Sequence, residues 1–357
     1  MKILIIIDDL RSGGTENVLA SRISALKSDI DIHIFTLFDL GPVAERLKSM
    51  GIEVDFLDIK NYGVIKTFNY LENILKEEKF DAAVCMRNVS RALFPKFLKK
   101  YIAKVAMLWD SPIIRRSWKY SILEWYQVKF SDAVPYCSSK NIAAALQKIY
   151  GFKNIKIIPN CYDQNIFKKR KNYIKRSDIL QIITVGGARE EKNYLHQLAI
   201  AQSLKDNEIK FKLTIAGDDP DGYLYRDILE QNLENEVLLL GNRKDVHKLL
   251  AQSDIFISTS FSEGFPVALL EAMAVGVPCV SYKFPSLCEI DEKFANIAVV
   301  PQGSVKEAVE KIIYLAENPD KYAKLAENAA EHVSEKFTAD KNSKLWVKFL
   351  SNNGHKI

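Results

Sequence analysis

Two glutamates in the segment SEGFPVALLEAMAVGVP, residues 262–278, are spaced so that both carboxylates could contact one bound ligand. Glu263 precedes a Gly-Phe-Pro turn, and Glu271 follows eight positions later in an apolar run. An acid at a helix start also complements the helix dipole, which gives Glu263 an ordinary structural explanation. A lone carboxylate in so apolar a helix is costly unless something pairs with it, so Glu271 fits that explanation badly. The spacing favours two acids directed at one ligand.

Two glycine turns follow predicted strands and have the composition of phosphate-binding loops. The first, Gly13-Gly14 in IIIDDLRSGGTENVLA, precedes a helix, and the second places Gly187, Arg189 and Lys192 in ITVGGAREEKNY. Glycines let the backbone approach an anion, and open α/β sheets bind ligands at the carboxyl ends of their strands. Two such turns facing each other would enclose a diphosphate. The Gly13-Gly14 turn lacks the G-x-G-x-x-G pattern of dinucleotide-binding loops. A single lysine such as Lys192 is more often an ordinary surface residue.

A basic and aromatic segment covers residues 87–129, with ten Lys or Arg against two acids. Cations interleaved with Trp and Tyr suit an anionic membrane surface. A solvated basic face over core aromatics is an equally good interpretation, and no nucleic-acid-binding motif accompanies the charge. The residues predicted to meet the membrane or the acceptor are Arg115, Arg116, Trp118, Lys119 and Trp125.

Length and composition limit the protein class. A chain of 357 residues with 48% hydrophobic content suggests two domains rather than one. Five cysteines without metal-ligand spacing resemble the reduced thiols of a cytosolic protein. The apolar run at residues 3–7 is too short for a signal peptide or a membrane span. We therefore expect a soluble, cytoplasmic protein whose membrane contact is peripheral.

Metal binding has little support in the sequence. The five histidines show no ligand spacing. Asp219-Pro-Asp221 has the form of a metal-binding DxD, but its flanking Gly and Pro favour a solvated turn. We expect neither a metal nor another cofactor.

Strand-like segments alternate with amphipathic helical stretches in two sets, which predicts an α/β protein with two doubly wound parallel sheets. The predicted domains are residues 1–167 and 179–339, joined by a basic linker at 168–178. A helix within 340–357 is expected to cross back to the first domain.

The motifs SGGTE, KIIPNCYDQNIF, VGGAREEKN and SEGFPVALLEAMAVGVP occur in an order and spacing that resemble the family 4 glycosyltransferases. The resemblance spans nearly the whole chain, and the Glu-x7-Glu element is its most specific part. It implies a GT-B fold of two Rossmann-like domains facing a cleft. It also implies transfer of a sugar from a nucleotide diphosphate, with retention of configuration and without a required metal.

The resemblance also implies roles for individual residues. Glu263 would lie beside the donor sugar, Glu271 would bind the ribose hydroxyls, and Lys192 would neutralise the departing diphosphate. The family commonly has Arg at the position of Gly187 and His at that of Trp109, so this chain departs from it twice. The implied donor-binding residues are Gly13, Gly14, Thr15, Gly187, Arg189, Asn242, Arg243, Phe265, Pro266, Val267, Ala268 and Glu271.

These expectations combine into one predicted function. The chain would transfer a sugar from a UDP- or GDP-linked donor to a cell-surface glycan or a lipid-linked acceptor. A nucleotide-sugar epimerase of the same fold would need no lipid acceptor, and the basic aromatic segment argues mildly against it. A non-catalytic subunit that binds sugar nucleotides is the other alternative, motivated by Gly187 and Trp109.

Overall fold

A computed structural model describes residues 1–11, 13–26, 29–110, 118–171 and 178–351, without the side chains of 118–121. The chain divides into two compact units. The first combines Met1–Cys161 with the segment from Ala339 onwards, and the second is Tyr162–Thr338. The division therefore comes six residues earlier than the predicted end of the first domain.

The first unit is built on a parallel sheet of seven strands in the order β3-β2-β1-β4-β5-β6-β7. The long hydrophobic runs form its centre, and every residue from Ile3 to Ile7 is fully buried. The strands are Lys2–Asp9 (β1), Asp31–Asp39 (β2), Glu53–Phe56 (β3), Ala82–Met86 (β4), Lys104–Trp109 (β5), Val134–Cys137 (β6) and Lys156–Ile157 (β7). The helices are Gly14–Ser24 (α1), Gly41–Ser49 (α2), Ile59–Glu77 (α3), Asn88–Leu93 (α4), Pro95–Leu98 (α5), Trp118–Phe130 (α6) and Lys140–Tyr150 (α7).

The second unit repeats this design with six parallel strands in the order β10-β9-β8-β11-β12-β13. Its strands are Leu180–Val185 (β8), Phe211–Ala216 (β9), Val237–Leu239 (β10), Ile255–Ser258 (β11), Cys279–Tyr282 (β12) and Ala298–Val300 (β13). Its helices are Tyr194–Asp206 (α8), Tyr223–Glu230 (α9), Val246–Gln252 (α10), Val267–Val275 (α11), Leu287–Ile290 (α12), Val305–Glu317 (α13) and Pro319–Lys336 (α14). Two parallel sheets flanked by helices confirm the predicted α/β, GT-B fold class.

The last helix, Ala339–Ser351 (α15), belongs to the first unit. Trp346 is fully buried there, and its Nε1 donates to the hydroxyl of Tyr136 at 3.2 Å. Asn342 accepts a hydrogen bond from Arg22 Nε at 2.7 Å. The C-terminal segment thus completes the core of the first unit.

Part of the basic stretch predicted as a linker is folded into the second unit. Arg170 is buried in the second unit, where its guanidinium donates to the carbonyls of Gly276 and Ser253 at 2.7 and 2.9 Å. Tyr322 Oη accepts a third bond at 2.9 Å. Residues 172–177 of the predicted linker lie outside the described residues.

Candidate functional site

Glu263 and Lys192 meet in the second unit. The ammonium of Lys192 lies 2.7 Å from Glu263 Oε1, and both side chains are largely buried. Ser260 Oγ donates to the same oxygen at 2.8 Å. Glu263 Oε1 therefore forms an ion pair with Lys192 and accepts a hydrogen bond from Ser260.

The loops that carry this pair are tied to each other. Lys192 ends a 3₁₀ turn over Glu190–Lys192, which follows β8. The hydroxyl of Thr259, just after β11, lies 3.0 Å from the carbonyl oxygen of Lys192. The amide of Phe261 donates to the carbonyl of Glu191 at 2.9 Å. Because β8 and β11 are neighbours in the sheet, these bonds fix the lysine opposite the glutamate.

Glu263 is also held through its backbone. The fully buried Ser286 donates from Oγ to the carbonyl of Glu263 at 2.7 Å. Helix α11 then begins at Val267, after the buried Phe265 and Pro266. Lys192, Glu263, Pro266 and Ala268 line one small pocket at this helix start. A helix N-terminus beside a lysine attracts anions, which suits a phosphate group.

Glu271 lies on α11 and is half-buried, as is Val267 at the start of the same helix. Its neighbours Leu270 and Ala272 are fully buried. Glu271 is therefore less buried than the apolar residues on either side of it.

The Gly186-Gly187 turn is packed too closely for larger residues. Gly186 has φ of 145°, and a Cβ on it would come within 3.1 Å of Lys192 Cε. A Cβ on Gly187 would lie 2.2 Å from Asp218 Oδ1. The position where the family commonly has Arg is therefore filled by the Asp218 carboxylate, and Arg189 is exposed nearby.

Two other predicted donor residues lie in the exposed loop after β10. Arg243 is bound by Asp245 through two contacts of 2.8 Å, and Asn242 is exposed beside it. The hydrogen bond from Arg243 holds the pKa of the Asp245 carboxyl below its usual value. The Asp219 carboxylate accepts from the amide of Tyr225 at 3.1 Å, so it closes a turn before α9.

The Gly13-Gly14 turn begins α1 in the first unit, with Gly13 at the N-cap. The hydroxyl of Thr15 donates to the carboxylate of Asp110. Glu16 folds back so far that a Cβ on Gly13 would lie 2.3 Å from its Oε2. The predicted anion-binding helix start is therefore occupied by a carboxyl group of the protein itself.

Glu16 is the functional candidate that sequence reasoning missed. Its side chain is 1% exposed, and its Oε1 lies 2.8 Å from a guanidinium nitrogen of Arg87. Burial raises the pKa of Glu16 to about 7, although Arg87 opposes the shift. The sequence offered only a helix-start signal here, because an acid in the first turn complements the helix dipole.

The predicted membrane residues are only partly described. Arg115 and Arg116 lie outside the described residues, as do the side chains of Trp118 and Lys119 at the start of α6. Trp125 is 47% exposed, and Ile122 and Phe130 on the same helix are exposed as well. Of the helices within the described ranges, none has the length and apolar character to cross a bilayer.

Other members of the basic segment belong to the core. Arg91 is buried, bound to Glu124 at 2.7 Å, with its guanidinium 4.9 Å from the ring centre of Trp109. Trp109 is fully buried. The segment is therefore not a continuous surface patch, and the place of the family histidine is filled by a core aromatic.

Comparisons with known proteins agree with this fold. Residues 165–332 match the family model of the glycosyl transferases group 1. The putative glycosyltransferase EpsF of Bacillus subtilis is 40% identical over 105 residues, which are 29% of this chain and 27% of that protein. The N-acetyl-alpha-D-glucosaminyl L-malate synthase of Bacillus anthracis is 25% identical over 60% of this chain and 58% of its own. The matches thus span less than two thirds of these two relatives.

Other proteins match almost the whole chain, but at lower sequence identity. The N,N'-diacetylbacillosaminyl-diphospho-undecaprenol alpha-1,3-N-acetylgalactosaminyltransferase of Campylobacter jejuni is 24% identical over 92% of this chain and 94% of its own. Anabaena Alr3699/HepE, solved with UDP-glucose, superposes with a TM-score of 0.84 at 19% identity. That comparison covers 98% of this chain and 99% of the other.

Proposed function

We propose that this chain, whose residues 165–332 match the family model of the glycosyl transferases group 1, moves a sugar from a nucleotide diphosphate to a glycan or lipid-linked acceptor with retention of configuration. The observation that carries the proposal is the Lys192–Glu263 pair beside the start of α11. A cation, an anion and a helix N-terminus within one pocket match the charges of such a reaction.

Sugar transfer separates charge. The departing diphosphate gains negative charge, and the sugar ring develops positive charge. Lys192 would stabilise the first and Glu263 the second. In the ligand-free protein the two side chains neutralise each other at 2.7 Å. A bound donor would place its phosphate on Lys192 and leave the Glu263 carboxylate for the sugar.

The remaining donor contacts follow from the same helix. Glu271 lies about one turn into α11. A carboxylate there can accept two hydrogen bonds from the vicinal hydroxyls of a ribose. The backbone from Phe265 to Ala268 would contact the sugar and phosphate. We propose a UDP-linked donor first and a GDP-linked donor second, since structures of HepE contain UDP.

A lipid-linked acceptor is the second part of the proposal. The names of the Campylobacter relative and of an Escherichia coli galactosyltransferase both specify diphosphoundecaprenol acceptors. The exposed Trp125, Ile122 and Phe130 of α6 suit a membrane surface. We therefore propose work on a surface polysaccharide or lipopolysaccharide precursor at the cytoplasmic face of the membrane.

The test is a donor screen with the full-length protein. UDP-glucose, UDP-N-acetylglucosamine and GDP-mannose are incubated with bacterial lipid extract, and release of UDP or GDP is measured. One donor should release nucleotide in an extract-dependent manner, and Glu263→Gln should suppress the release. Binding without release would instead support a non-catalytic subunit. Interconversion of the free nucleotide sugar would support an epimerase.

A further inference from the structure

A buried histidine lies among carboxylates at the edge of the first unit's sheet. His33 on β2 is 2% exposed and pairs in register with Glu53, the first residue of β3. Its Nδ1 lies 3.6 Å from Glu53 Oε2 and 3.2 Å from the Oε2 of Glu78, which follows α3. Its Nε2 lies 3.0 Å from Asp55 Oδ2. This group takes no part in the sugar-transfer proposal.

The geometry points to a zinc site: we propose that His33 Nδ1 and one oxygen each of Glu53 and Glu78 bind a Zn²⁺ ion. In a tetrahedral zinc site with ligand bonds of about 2.1 Å, two ligand atoms stand about 3.4 Å apart. The two nitrogen-to-oxygen distances, 3.6 and 3.2 Å, bracket that value. All three ligand atoms lie within 4.8 Å of one another.

Asp55 supplies the second feature of such a site. A histidine that binds a metal through one ring nitrogen generally donates its other N–H to a carboxylate or carbonyl. Asp55 lies two residues after Glu53, on the same face of β3, and accepts from Nε2. With the ring proton on Nε2, the lone pair of Nδ1 is directed toward Glu53 and Glu78. The ring is further fixed by Phe80, which packs edge-on at 5.8 Å.

The local charge favours a divalent cation. Three carboxylates contact His33, those of Glu53, Asp55 and Glu78, and Asp31 contacts the neighbouring Lys2. Lys2, which lies 3.0 Å from Glu78 and 3.3 Å from Asp31, is a competitor for Glu78 and neutralises one charge. The three ligand atoms converge on a space that a proton on Nδ1 or a metal ion can occupy. An imidazole ligand selects zinc over magnesium and calcium.

The ion would join β2, β3 and the end of α3, elements that come from separate stretches of the sequence. Its role would be to hold this edge of the first unit together. We therefore expect Zn²⁺ to raise the melting temperature without any donor or acceptor present.

Calorimetric titration of ZnCl₂ into tag-free, chelator-treated protein tests the proposal. A Cys288→Ser background removes an exposed thiol, a side chain able to bind Zn²⁺ on its own. We expect one saturable site that is at least tenfold weaker in Glu53→Gln. Asp55→Asn should weaken binding about 10- to 100-fold, as loss of a hydrogen bond to a metal-bound histidine does. Co²⁺ should give the visible absorption of a tetrahedral ion.

Glu77→Gln is the matched control, because Glu77 is exposed, adjacent to Glu78 and outside the group. Its zinc affinity should equal that of the parent protein. The site is refuted if the parent and Glu53→Gln bind Zn²⁺ equally well. Because Glu53 is 59% exposed, its substitution should leave folding intact, which melting in EDTA verifies.

Discussion

Ser260 Oγ lies 2.8 Å from Glu263 Oε1, the same oxygen that contacts Lys192. The hydroxyl fixes one rotamer of the carboxylate, so it acts as a positioning group for Glu263. When a donor phosphate draws Lys192 away, the bond from Ser260 would remain. The carboxylate would therefore stay oriented during the reaction.

Ser260→Ala should lower kcat about tenfold with little change in donor KM, because a hydrogen bond of this kind is worth about 1.5 kcal/mol. Steady-state kinetics with the active donor measure the effect. Ser260→Thr, which keeps the hydroxyl, should recover most of the activity. Ser262→Ala, two residues further along the chain, serves as the control. An equal loss in kcat for both alanine variants would contradict a positioning role.

Lys192→Ala and Glu263→Gln should have opposite effects on nucleotide diphosphate binding. Loss of the lysine removes a charge-assisted contact worth about 1.5 to 3 kcal/mol, so binding should weaken roughly ten- to a hundredfold. Glu263→Gln releases Lys192 from its partner, so the diphosphate should bind at least as tightly while kcat falls strongly. Calorimetry with UDP compares the two variants. Unchanged binding in Lys192→Ala would remove the lysine from the phosphate site.

Glu271→Gln should raise the donor KM and weaken binding of the nucleotide alone. The parent protein should also bind UDP more tightly than 2'-deoxy-UDP, because the ribose hydroxyls donate to the carboxylate. In Glu271→Gln this preference should largely disappear. A variant that melts at a lower temperature but keeps the full preference would show that Glu271 is structural.

Glu16 should make the stability of the first unit depend on pH. Its pKa is about 7 in the folded protein against 4.5 for an ordinary glutamate, so the folded state binds the proton more tightly. Stability is greatest below pH 4.5 on this account, falls as pH rises to 7 and then levels off. Over this pH range the free energy of unfolding falls by roughly 3 kcal/mol.

Melting curves between pH 5 and 8 test this prediction. Glu16→Gln should flatten the decline and melt higher than the parent at pH 8, whereas the exposed Glu77→Gln should follow the parent. A parallel decline in Glu16→Gln and in the parent would place the pH dependence elsewhere.

The membrane prediction concerns Arg115, Arg116, Trp118, Lys119 and Trp125. The protein should sediment with vesicles that contain anionic lipid, and rising salt should release it because exposed charges are screened. Each basic residue should contribute about 1 kcal/mol. Trp125→Ala should weaken binding at every salt concentration, since the exposed ring contributes through apolar contact. Equal binding to neutral vesicles would rule out the electrostatic contribution.

The α/β fold class could be predicted from the sequence, for physical reasons. Buried parallel strands such as β1 are continuous apolar runs, and the Glu-x7-Glu element lies within one local segment. The strands β3, β7 and β13 were not predicted; each has two to four residues, of which at most one is buried, so none forms a buried apolar run.

Contacts between distant segments were not predictable in this way. Thr259 and Ser286 hold the Lys192 and Glu263 loops from elsewhere in the chain, and hydroxyl residues give no periodic signal. Arg170 was assigned to a solvated linker from its basic neighbours, yet it satisfies the carbonyls at the ends of two helices. The group around His33 depends on strand register, which spacing in the sequence does not reveal.

Helix α15 has a consequence for biosynthesis. The core of the first unit includes Trp346, yet the 177 residues of Tyr162–Thr338 leave the ribosome before it does. At about 5 to 20 residues per second, the nascent first unit waits roughly 10 to 35 s for its last helix. During that interval the apolar surface that later packs against Trp346 is uncovered, and exposed apolar surface of this kind favours aggregation of the nascent chain.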